Sequence, residues 1–77
     1  MGYHITFNIT TVDRIENGNP VFIKHRYAIP CFDLNDAMDV YFDIISIDGV
    51  KYARINKCLK LVKGTKILNR QSYLKEI

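Results

Sequence analysis

The sequence predicts a small α+β domain, an antiparallel sheet of order β-β-α-β-β with one amphipathic helix packed on one face. Three observations predict it. Two runs of alternating apolar and polar residues stand near the N-terminus with a cluster of turn formers between them, Glu16-Asn17-Gly18-Asn19-Pro20. An apolar stripe at helical spacing follows Pro30. After it, Asp48-Gly49 marks a turn into a further run of strand formers. At 77 residues the whole chain, 1–77, is expected to be a single domain with a thin core.

In chain order, Tyr3 to Thr11 alternates, with Tyr3, Ile5, Phe7 and Ile9 on one side and His4, Thr6, Asn8 and Thr10 on the other. Val21 to Pro30 alternates again, setting Val21, Ile23, Tyr27 and Ile29 against Phe22, Lys24, Arg26 and Ala28. The two runs are expected to pair as a hairpin. The sheet face opposite the helix then carries His4, Thr6, Asn8, Thr10, Lys24 and Arg26, a polar surface suited to binding. Pro30 cannot donate to a ladder and ends the second strand.

The helix is expected over Leu34 to Ser46, with Leu34, Ala37, Met38, Tyr41 and Ile45 as its apolar stripe. Asp33 is placed to cap the first turn, Asp36 adds negative charge at the positive end of the helix dipole, and Phe32 and Ala37 are spaced as a hydrophobic staple. A rival parse makes Tyr41 to Ile47 a strand; the cap and the unbroken stripe favour the helix. Val50 to Asn56 reads as a third strand and Cys58 to Val62 as a fourth. Lys63-Gly64 reads as a tight turn, Thr65 to Leu68 as a short return strand, and Asn69 to Ile77 as a short helix or a frayed tail.

Composition excludes several classes. A hydrophobic fraction of 48% excludes wholesale disorder. No run approaches the roughly 18 apolar residues of a membrane span, and the first residues lack the basic and apolar regions of a signal peptide, so a cytoplasmic protein with no membrane partner is expected. Cys31 and Cys58 are far apart and read as two reduced thiols; no chelating spacing joins them to His4 or His25, so neither metal nor cofactor is expected. Phosphate-cradling glycine loops, nucleophile elbows and paired metal ligands are all missing from the sequence, and no enzyme is expected. A minor reading pairs His4 and His25 across adjacent strands as acid and base.

Charge is the informative quantity. The net charge of +3 conceals a division: Asp33 to Asp48 holds five aspartates and no base, whereas from Lys51 onward eight basic residues face Glu76 alone. Two expectations follow. The carboxylates of Asp36, Asp39 and Asp43 form an acidic face that would dock on a basic surface of another protein. Alternatively, Lys51, Arg54, Lys57, Lys60, Lys63 and Lys66, with Tyr52 and Tyr73 interleaved, would follow a nucleic-acid backbone. Basic residues at every third position fall on both faces of a strand, which counts against a single basic stripe.

From Arg26 to Ile55, the run Arg-Tyr-Ala-Ile-Pro, then Phe-Asp-Leu-Asn-Asp-Ala-Met-Asp-Val-Tyr, then Gly-Val-Lys-Tyr-Ala-Arg-Ile resembles the layout of small bacteriophage and mobile-element effectors, among them anti-CRISPR proteins and inhibitors of host RNA polymerase. The resemblance is one of pattern and carries no residue over by position. It implies a non-enzymatic inhibitor acting in the host cytoplasm by covering a nucleic-acid-processing complex. A small sheet with a free edge also suits a homodimer.

Overall fold

The computed structural model describes residues 2–57 and 60–77. Strand β1 (Tyr3–Glu16) and strand β2 (Asn19–Cys31) form one long antiparallel hairpin. Asn17 and Gly18 both adopt positive φ, 52° and 80°, the geometry of a two-residue turn whose twist matches the strands it joins. Pairing therefore runs up to Glu16 and resumes at Asn19, further than the cluster of turn formers suggests.

Helix α1 (Leu34–Ile45) follows, and the strand parse of Tyr41 to Ile47 is excluded. Asp33 accepts from the Asp36 amide at 2.9 Å, and Asp36 accepts from the Phe32 amide at 2.8 Å, a reciprocal cap. The expected staple does not form, because Phe32 is 85% exposed. The stripe that enters the core is rotated from the expected one. Ala37, Val40 and Ile44 are buried and Tyr41 is half-buried, while Leu34, Met38, Phe42 and Ile45 stay exposed.

Strand β3 (Val50–Asn56) pairs antiparallel with β1, and strand β4 (Lys66–Ile67) pairs parallel with β2, giving the order β3-β1-β2-β4. The sheet is thus mixed, not antiparallel throughout. After β3 the chain does not turn back as a hairpin; it reaches the opposite edge, so β4 runs in the direction of β2. The expected strand Cys58 to Val62 begins outside the described residues, and Lys60 to Val62 has no strand geometry. Lys63-Gly64 does turn, with Gly64 at φ 93°, and feeds β4. Helix α2 (Tyr73–Glu76) ends the chain.

The core lies between the sheet and α1. Ile5, Phe7 and Ile29 of the hairpin meet Val40 and Ile44 of the helix, and Leu68 and Tyr73 close the side. At roughly 1.5–3 kcal/mol per fully buried large aliphatic or aromatic side chain, this cluster is the main source of stability. Beyond Thr10 and before Lys24 the hairpin has no third strand and projects as a two-stranded arm, consistent with overall extents of 48 × 25 × 19 Å. Among the described residues no helix is long and apolar enough to cross a membrane.

Candidate functional site: a basic groove on the sheet face opposite the helix

Alternation along β1 and β2 sends Thr6, Asn8 and Arg26 to the face opposite α1, as expected. That face is not bare. Residues 60–62 and Thr65 stand over it on the way to β4, and a groove of about 340 Å³ opens between them and the sheet. Arg26, Arg54 and Lys60 line it and no carboxylate does. A neighbouring hollow adds Lys24 and Lys66 and shares Arg26. Among the described residues none of these five cations is ion-paired; the ion pairs found involve Arg14 and Arg70.

The position of Tyr52 depends on an irregularity of β3. Thr6 pairs with Arg54 and Asn8 with Lys51, so Phe7 faces two residues, Tyr52 and Ala53. This is a β-bulge, a device that re-aims side chains next to sites. Ala53 packs against the core while Tyr52, at φ 60°, joins the groove. Left-handed backbone at a bulky residue is strained, and such strain concentrates at functional positions. Tyr52 is 64% exposed, and the Arg54 guanidinium lies 5.0 Å from its ring centroid.

His4 lines the same groove but is only 2% exposed. Burial holds its pKa below the usual histidine value, favouring the neutral ring. Its Nδ1 has no hydrogen-bond partner among the described residues. Beside it Asn56 Nδ2 donates to Thr6 Oγ1 at 3.0 Å. The pairing of His4 with His25 as acid and base does not form. His4 lies opposite Pro30 and His25 opposite Ile9, one on each face of the sheet, and His25 Nε2 instead lies 2.8 Å from Thr11 Oγ1.

The residues of the basic run are divided. Arg54 and Lys60 line the groove, Lys66 lines the adjoining hollow, and the register puts Lys51 beside Asn8 on the same face. Lys57 and Lys63 are exposed and line neither. On regular strands, basic residues at every third position would fall on both faces; the bulge and the segment leading to β4 instead bring Arg54, Lys60 and Lys66 to the face opposite α1. Tyr73 is not available as a stacking platform, being buried with its hydroxyl donating to Asp43 Oδ2 at 2.8 Å.

The acidic face is divided too. Arg70 donates to Asp36 Oδ1 from Nε at 2.9 Å and from Nη2 at 2.6 Å, and with the Phe32 amide this holds the Asp36 carboxyl below its ordinary pKa. Asp43 receives the Tyr73 hydroxyl, whose pKa is pushed up to about 12, by burial first and by Asp43 second. Two of the three aspartates thus tether the C-terminal segment, and Asp39 is left exposed on α1. Cys31 is buried, and burial followed by the nearby Asp36 charge raises its thiol to about 11; Cys58 lies outside the described residues. No group of metal-binding side chains occurs among the described residues.

Sequence reasoning missed the contribution of Arg26 to the same groove as Arg54, and the burial of His4. The signal for the first was present in the alternation of β2; the second has none in the strand pattern, which places His4 on the polar face. No protein-family model matches the chain, and neither a curated protein nor a solved structure matches it.

Proposed function

We propose that this protein is a non-catalytic nucleic-acid-binding protein that grips the phosphate backbone with the sheet face opposite α1. The observation that carries the reading is the clustering of Lys24, Arg26, Arg54, Lys60 and Lys66 along two adjoining hollows with no acid lining either. Unpaired cations in a concave surface concentrate a polyanion and release its counterions on contact. The docking expectation resting on Asp36, Asp39 and Asp43, with its implied inhibitor role, is the weaker reading, since Asp36 and Asp43 already have partners within the chain.

The test is fluorescence anisotropy with labelled oligonucleotides over a salt series. Each neutralised phosphate contributes a slope of roughly −0.7 to −0.9 in log affinity against log salt, so five cations give about −3.5 to −4.5. Arg26→Ala and Arg54→Ala should each weaken binding and flatten the slope by about one contact. Affinity that ignores salt, or that survives both changes together, would sink the proposal.

A further inference from the structure

We infer that the groove seats one unpaired base of a single-stranded nucleic acid, stacked on Tyr52 and flanked by phosphates on Arg54, Arg26 and Lys60. The inference rests on the nucleic-acid reading above and narrows it from a charged surface to a site for a base. The cations alone explain contact with phosphate. They do not explain the rest of the lining: an aromatic ring, an aliphatic wall of Leu61 and Val62, and a polar floor of Thr6, Asn8, Asn56 and His4. A phosphate has no use for an aromatic ring or an aliphatic wall. A nucleobase uses all three, because it offers a flat apolar face and a rim of donors and acceptors.

Tyr52 is the decisive residue. The β-bulge opposite Phe7 and the left-handed φ of 60° turn a bulky residue, 64% exposed, toward the groove at a conformational cost that a regular strand would not carry. A ring held this way, with a guanidinium 5.0 Å from its centroid, forms a rigid stacking platform beside a phosphate ligand. His4 supplies an independent indication. It is 98% buried in relative terms, its Nδ1 lacks a partner among the described residues, and it borders this groove and not the helix side. A buried polar group without a partner is uncommon, and here it adjoins the groove, where Thr6, Asn8 and Asn56 supply polar groups to the edge of a ligand. The groove's volume of about 340 Å³ falls at the small end of ligand sites, enough for one base with its sugar and too small for a duplex to enter. Duplex bases are stacked on each other and cannot reach Tyr52, so this site discriminates strandedness.

The experiment compares a labelled oligothymidylate of about 12 nucleotides with a duplex of equal length, binding wild type, Tyr52→Leu, Tyr52→Gly and Tyr52→Phe. Tyr52→Gly removes the ring and also relieves the positive φ, Tyr52→Leu removes the ring while keeping a side chain, and circular dichroism checks that each variant is folded. The single strand should bind at least tenfold more tightly than the duplex. Tyr52→Leu and Tyr52→Gly should lose about tenfold for the single strand with the salt slope unchanged, and Tyr52→Phe should keep wild-type affinity. Equal affinity for both strandedness classes, or an unchanged single-strand affinity in the Leu and Gly variants, would overturn the base site while leaving the backbone reading standing. Failure to bind either oligonucleotide would overturn both.

Discussion

Asp36 shows how one side chain can serve two local structures. Its amide is capped by Asp33, and its carboxylate receives the Phe32 amide on one oxygen and Arg70 on the other. The cap from Asp33 and the favourable charge of Asp36 in the first turn were legible from spacing; the partner Arg70, 34 residues away, was not, because no local pattern announces it. Asp36→Asn should lower the unfolding free energy by about 1–3 kcal/mol, read by urea denaturation, since one amide oxygen cannot replace both carboxylate oxygens and the Arg70 charge loses its counter-charge. The pH dependence follows from the depressed carboxyl pKa. The Asp36 contribution is complete above the unfolded carboxylate value of roughly 3.9 and drains away as pH falls through the lower folded value. The wild type should therefore lose more stability than Asp36→Asn between pH 5 and about 2, as measured by the midpoints of thermal melts.

At the scale of elements, α1 separates what periodicity can and cannot determine. Its stripe of apolar residues is wider than the surface the sheet can cover, so spacing alone does not say which part turns inward. The core takes Ala37, Val40 and Ile44, and Leu34, Met38, Phe42 and Ile45 remain outside. Ile44→Ala should cost about 2–5 kcal/mol, whereas Met38→Ser should change stability by less than about 1 kcal/mol, a contrast that denaturation of the two variants checks directly. The rotation is one in which Ala37, Val40 and Ile44 reach the core while Asp36 and Asp43 meet Arg70 and Tyr73 of the C-terminal segment. Likewise β3 was legible as a strand over Val50–Asn56, but its bulge was not, because the residues of a bulge are chosen by the register of the partner strand.

At the scale of the whole molecule, the hairpin extends well past the body of the sheet. From Thr10 to Lys24 its strands have only each other, and Val12, Ile15 and Phe22 are exposed along it. A two-stranded ribbon is marginal alone in water. Amides from Thr11 to Ile23 should exchange with solvent orders of magnitude faster than those of Ile5, Phe7 and Ile29, as hydrogen exchange followed by NMR would show. The sequence by itself determined the hairpin, the capped helix, the third strand and the separation of acidic from basic residues, because alternation, capping and turn chemistry act over a few residues. The packing of the whole chain was needed to set β4 parallel on the far edge, to bury His4, and to bring Arg26, Arg54 and Lys60 to one groove. Those outcomes depend on which surfaces remain open once the hairpin and helix have packed, and on contacts between residues distant in the chain, for which a linear pattern holds no record.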